Sequence, residues 1–163
     1  SCSILLSLLS FISRIFMQIM YAVEKDLPQL ANLFDQYRVF YGQETCIDKA
    51  LDFLNSRLKN KDSVILIAKG NNDILGFTQL YPSFSSVGME VIWILNDLFT
   101  RPDFRQQHIA KKLLEAARKH AVKTDALRII LATQVSNTIA QNLYLSMGYS
   151  KDEAFYHYNL NTK

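Results

Sequence analysis

The spacing of apolar residues changes period several times along the chain, and each change marks an element. Residues 19–23 read as a strand. Lys25-Asp-Leu-Pro28 then opens a helix, with Asp26 suited to the N-cap and proline tolerated in the first turn. Leu30, Leu33, Phe34 and Tyr37 follow at helical spacing, and a second helix is predicted over about 47–58, with Ala50, Leu51, Leu54 and Leu58 on one face. Residues 64–69 and 74–81 are β-rich runs joined by Gly70-Asn-Asn-Asp73, a hairpin signal, and residues 82–86 read as a polar loop. The run 91–100 is almost continuously apolar, which suits a central strand covered on both faces. Ile109, Leu113, Ala117 and Ala121 repeat every fourth residue and place a helix against the sheet. A strand over 127–132 and a helix over 137–147 follow, with Gly148 at the left-handed C-cap. Residues 155–160 are expected to close the sheet. This order predicts an α/β fold with a mixed sheet and helices on both faces. No linker or repeat divides residues 17–163, so one domain is expected.

Composition narrows the class. A chain of 163 residues with 49% hydrophobic and 20% charged residues is ordinary globular material. A net charge of +3 lacks the clustered basic excess of a nucleic-acid protein, so no nucleic-acid partner is expected. Cys2 and Cys46 are too few for a disulfide framework, which favours a cytoplasmic setting. His108, His120 and His157 are isolated in sequence, and no metal is implied. Residues 1–16 form an apolar extension interrupted by Arg14 before membrane-spanning length, so no membrane partner is expected. It reads either as non-native sequence preceding Met17 or as an amphipathic helix that docks on a surface.

The chemistry concentrates at residues 104–114, Phe-Arg-Gln-Gln-His-Ile-Ala-Lys-Lys-Leu-Leu. A strand ending in a polar loop at a poorly capped helix N-terminus is an anion seat, because the first N–H groups lack acceptors and the helix dipole adds positive charge. Arg105, Lys111 and Lys112 reinforce that field. Arg105-Gln106-Gln107-His108-Ile109-Ala110 resembles the Arg/Gln-x-x-Gly-x-Gly/Ala loop of the GNAT superfamily of N-acetyltransferases. Three further segments agree in order. Trp93-Ile-Leu-Asn96-Asp97-Leu98-Phe99-Thr100 is similar to the family's fourth strand. Asn137-Thr-Ile-Ala-Gln-Asn-Leu-Tyr144-Leu-Ser-Met-Gly148-Tyr149 is similar to its Asn-x-x-Ala-x-x-Leu-Tyr-x-x-x-Gly-Tyr/Phe motif, and residues 17–33 to its first strand and helix.

The resemblance implies a six- or seven-stranded mixed sheet whose strands four and five splay apart to admit the pantetheine arm of acetyl-CoA. It implies direct transfer of acetyl from acetyl-CoA to a primary amine of a small molecule or protein. Backbone of Leu98, Phe99 and Thr100 would bind the pantetheine, and Arg105 through Lys111 the pyrophosphate. The Leu98 N–H is the candidate oxyanion donor. Asn137 would contact the cofactor arm, or act as a plain N-cap. Tyr144 would protonate the thiolate, a task suited to a phenol with pKa near 10; packing within the helix is the alternative.

Two departures from the family pattern bear on the site. Polyamine acetyltransferases, and a yeast-type group acting on histones and small amines, carry Leu-Glu-Asp where this chain has Leu95-Asn96-Asp97. Either Asp97 is the relevant carboxylate, or a water chain removes the amine proton, or Glu90 reaches it. Asp97 as a structural acid is the plain alternative. His108 stands where glycine is usual. Tyr37, Tyr41, Trp93 and Asn96 are candidate acceptor-pocket residues, with Trp93 either walling that pocket or filling the core. Glu44, Asp48 and Asp52 would draw a cationic amine, or simply form a solvated face. A non-catalytic CoA-binding sensor or scaffold is the alternative function. Phe155-Tyr-His-Tyr158 near an expected sheet edge suggests a homodimer.

Overall fold

The structure, a computed structural model, describes residues 16–163. The extension predicted over 1–16 therefore lies outside the described residues except for Phe16. The chain divides into two compact units, one ending at Leu131 and the other spanning Ala132–Lys163.

The first unit runs β1 (Met17–Tyr21), a 3-10 turn (Glu24–Asp26), α1 (Leu27–Phe40), α2 (Ile47–Asn60), β2 (Val64–Gly70), β3 (Asp73–Ser85), β4 (Glu90–Thr100), a 3-10 turn (Pro102–Phe104), α3 (Ile109–Lys123) and β5 (Ile129–Leu131). The five strands lie in the order β1-β2-β3-β4-β5. Neighbours pair antiparallel except β4 and β5, which are parallel. The β2–β3 turn forms where the sequence places it, with Asn71 and Asn72 at φ 50° and 69°. Two consecutive left-handed residues are what a type I′ hairpin demands, and asparagine tolerates them.

Alternation of side chains across the strands covers the sheet on both faces. Ile65, Ile67, Ile74, Phe77 and Phe99 pack with Leu27, Leu30, Leu33 and Phe34 of α1 and Ala50 and Leu54 of α2. The other face takes α3, whose Ile109, Leu113, Ala117 and Ala121 are all buried as their spacing predicts. Gly76 sets how closely α3 approaches. A Cβ there would lie 2.9 Å from the Phe99 carbonyl oxygen and 3.0 Å from Ile109 Cγ2.

The structure corrects four expectations. The sheet has five strands among the described residues, not six or seven. Residues 155–160 form no strand; Asp152 Oδ1 accepts from Ala154 and Phe155 N–H, turning the chain, and strand-like composition supplies no partner edge by itself. The loop expected over 82–86 is instead strand as far as Ser85, with Pro82 opposite Trp93. Pro82 is tolerated because β2 pairs with β3 only as far as Leu80, so the missing N–H faces no ladder there. Asp26 does not cap α1 with its side chain. Its carboxylate accepts from Val23 N–H at 3.0 Å and Lys69 Nζ at 2.9 Å.

In the second unit, α4 (Thr138–Ser146) is capped by Asn137, whose Oδ1 accepts from Ala140 N–H at 3.1 Å. Gly148 follows at φ 89°, the left-handed stop its position predicts.

Candidate active site

One extra residue in β4 organises the site. Gln79 is opposite Asp97, yet the next residue, Leu80, is opposite Leu95, so Asn96 is a β-bulge. The bulge moves side chains between faces. Before it, Trp93 faces α3, where its Nε1 donates to Thr124 Oγ1 at 2.8 Å and its ring meets His120 edge-on at 4.7 Å. After it, Asp97 and Phe99 face α1, and Phe99 is part of the core beneath α1 and α2. Regular alternation would have kept all three on one face.

The bulge also reverses the backbone. Trp93 N–H donates to Arg128 carbonyl at 3.0 Å, so odd-numbered residues before the bulge address β5. Arg101 N–H donates to Leu75 carbonyl at 2.8 Å, so odd-numbered residues after it address β3. The N–H groups of Leu98 and Thr100 therefore point to the side opposite β3. On that side β5 pairs only with Trp93, Ile94 and Leu95. β5 ends at Leu131, opposite Leu95, so its pairing stops short of Leu98.

Beyond β4 the loop of residues 105–108 enters α3. Gln106 and His108 adopt φ 62° and 60°. Histidine thus takes the left-handed backbone for which glycine is usual, at a cost of roughly 1–2 kcal/mol. His108 places no side-chain cap on α3, and Lys111 and Lys112 stand exposed in a first turn free of acidic residues. Arg105 lies 5.9 Å from the ring centroids of both Phe40 and Phe99, tying the loop to α1 and β4.

Asp97 is 4% exposed. Gln79 Nε2 donates to Oδ2 and Asn96 Nδ2 to Oδ1, each at 3.1 Å, and the Tyr37 hydroxyl also donates to the carboxylate. Burial raises its pKa above the ordinary carboxylate value; the bonds from Gln79, Tyr37 and Asn96 offset part of that rise. Tyr81, on the same face, is pushed up to about 12 by burial and by the Asp97 charge. Gln79 is fully buried and Ser63 Oγ donates to its Oε1 at 3.1 Å, which orients the amide. Sequence reading missed Gln79 and Tyr81. Their signal was hydrogen-bonding side chains at alternate positions after Phe77, on the face that Phe77 shares.

Tyr37 also belongs to an aromatic group, with ring centroids 5.1 Å from Tyr41, 5.8 Å from Phe77 and 5.9 Å from Phe99. Tyr41 is 43% exposed at the end of α1. The loop after it is held by Asp35, whose carboxylate accepts from Cys46 N–H, the Thr45 hydroxyl and Arg38. The Cys46 N–H is the foremost reason that the Asp35 pKa lies below the ordinary carboxylate value. Glu44, Asp48 and Asp52 are exposed on this loop and on α2.

The structure thus brings Tyr37, Asp97, Asn96 and Gln79 together, and keeps Tyr41 beside Tyr37. It does not bring Trp93 to them; of the two readings of that residue, core packing is the one its contacts fit. Glu90 is exposed at the start of β4. In the second unit Tyr144 meets Tyr149 edge-on at 5.8 Å. Among the described residues no helix is long and apolar enough to cross a membrane, and no cluster of three or more acidic, His or Cys side chains could hold a metal.

Comparison with known proteins adds identity to this geometry. The family model described as "Acetyltransferase (GNAT) family" matches residues 27–149. The chain is 46% identical over 145 residues to the uncharacterized N-acetyltransferase YhfO of Bacillus subtilis (strain 168), covering 89% of this chain and 97% of that one. A crystal structure of a probable acetyltransferase superposes with a TM-score of 0.85 at 40% identity, covering 90% of this chain and 98% of the other. An aminoglycoside N-acetyltransferase, AAC(6')-Iy, solved in complex with CoA, shares the fold with a TM-score of 0.76 at 21% identity, over 90% of this chain and 95% of its own.

Proposed function

Because the chain belongs to the acetyltransferase (GNAT) family, we propose that its acetyl transfer proceeds on the open edge of β4, from acetyl-CoA to a primary amine bound on the α1 side. Acetyl-CoA supplies an activated thioester; the protein's part is to hold it, receive charge and move protons.

The observation that carries this reading is the outward N–H of Leu98 on the stretch of β4 that β5 leaves unpaired. A backbone donor fixed in a sheet needs no reorganisation to meet the oxygen on which charge develops. Leu98 and Thr100 offer the pantetheine an edge to pair with. The uncapped start of α3, with Arg105, Lys111 and Lys112, offers the pyrophosphate aligned N–H groups and positive charge. The residues present therefore fit acetyl-CoA. Asp97, moved by the bulge to the α1 face, serves the acceptor side, with Tyr37, Tyr41 and Asn96 nearby. Tyr144 is assigned the thiolate proton and Asn137 a contact to the cofactor arm, both from their match to the family motif.

The experiment is a thiol-release screen with acetyl-CoA over polyamines, aminoglycosides, amino acids and basic peptides. Amine-dependent release supports an enzyme. Tight acetyl-CoA binding without release for any amine would instead support a sensor. We also carry forward a cytoplasmic homodimer. Phe155, Tyr156 and Tyr158, exposed at 73%, 89% and 89%, are the surface it would use. Sedimentation showing only the 18.8 kDa monomer would reject it.

A further inference from the structure

Asp97 is poorly placed to meet an amine itself. It is buried, and both of its oxygens already accept from side-chain amides of Gln79 and Asn96. The third donor differs in kind. An amide nitrogen only donates, whereas a phenol both donates and accepts. Tyr37 is half-buried, and its ring links the carboxylate to the exposed end of α1 at Tyr41.

We propose that Tyr37 takes the proton from the acceptor amine while passing its own phenolic proton to Asp97, a role that rests on the acetyltransferase reading above. The step balances. The amine N–H bond breaks as an O–H bond forms on the Tyr37 oxygen, and the original Tyr37 O–H bond breaks as one forms on Asp97. The amine nitrogen keeps the electron pair with which it bonds the acetyl carbon. One proton moves from nitrogen to the carboxylate, and the phenol ends as it began.

The surroundings favour this route. Burial, the foremost influence on Asp97, strengthens it as a proton acceptor. The titratable groups facing it are Tyr37 from α1 and Tyr81 from β3. Arg57 of α2 and Asp62 act on Tyr81 in turn. Tyr81, its pKa pushed up to about 12, feels the Asp97 charge but is not among the hydrogen-bond donors to that carboxylate. Tyr37 is then the phenol that joins carboxylate and acceptor. It is a catalytic residue, and Asp97 acts through it.

The test compares wild type, Tyr37→Phe, Asp97→Asn and the double variant, with spermidine, kanamycin and a lysine peptide as acceptors. Phenylalanine keeps the ring that packs on Phe34, Phe77 and Phe99. The relay predicts that kcat falls by roughly 10²–10⁴-fold in each single variant. The double variant should fall no further, because the two residues act as one unit. The acid limb of the wild-type pH–rate profile should vanish in both, while calorimetry shows acetyl-CoA binding unchanged. A Tyr37→Phe enzyme with wild-type kcat and an intact acid limb would overturn the relay alone, as would additive losses. A wild-type protein that acetylates none of these amines would overturn the acetyltransferase reading beneath it, and calorimetry would show whether cofactor binding fails too.

Discussion

Gln79 Nε2 donates to Asp97 Oδ2 at 3.1 Å across the β3–β4 pair, at the position next to the Asn96 bulge. The bond places an acid in the core beside α1 and keeps it satisfied there. Burial still raises the Asp97 pKa. Between the ordinary unfolded value near 3.9 and that raised value, the folded state holds more protons than the unfolded one. Asp97 therefore costs stability increasingly as pH rises through that window, and the cost is constant above it. Asp97→Asn removes this titration but sets an amide N–H against the Gln79 or Asn96 donor, so its stability relative to wild type should improve as pH rises through the window and level off above it. Urea unfolding at neutral and acid pH checks this; a difference independent of pH would count against it.

His108→Gly should stabilise the fold. It removes the roughly 1–2 kcal/mol cost of a left-handed non-glycine residue, offset by about 0.5–1 kcal/mol of added backbone entropy in the unfolded chain. A small net gain is expected in chemical denaturation. His108→Val should lose stability instead, because a β-branched side chain tolerates that backbone worst. Equal midpoints for all three proteins would show that the loop stores no strain.

Gly76→Ala tests how α3 is seated. The new methyl would crowd the Phe99 carbonyl and Ile109 at 2.9 and 3.0 Å. Overpacking of this kind costs typically about 1–3 kcal/mol. Because Ile109 begins α3, acetyl-CoA affinity should fall along with stability. Calorimetry on the folded variant separates the two; unchanged affinity would place the pyrophosphate elsewhere.

Tyr144→Phe keeps the ring that meets Tyr149 and deletes the hydroxyl. If that hydroxyl protonates the thiolate, kcat should fall by roughly 10²–10⁴-fold with acetyl-CoA affinity unchanged. Near-full turnover would assign the proton to another donor, and weakened cofactor binding would point to packing.

Much of this fold was legible because its strongest signals are local. The Asn71-Asn72 turn, the fourfold repeat of α3 and the Gly148 stop each depend on a few adjacent residues. What escaped depends on partners distant in sequence. Nothing in Leu95-Asn96-Asp97 announces a bulge, since the extra residue exists only relative to β3. Yet that residue decides which face Asp97 serves and where the Leu98 N–H points. Asp26 looked like a cap because Lys69, its actual partner, lies 43 residues on. Residues 155–160 had strand composition but found no strand to pair with.

Amide NMR during titration with acetyl-CoA tests the central claim most directly, because it reads the backbone donors themselves. The account predicts shifts at Leu98 and Thr100 on the open edge of β4 and at Ile109, Ala110 and Lys111 at the start of α3. The β2–β3 turn at Asn71 and Asn72 should stay unmoved. Saturating acetyl-CoA that leaves the Leu98 and Ile109–Lys111 amides unperturbed would contradict it.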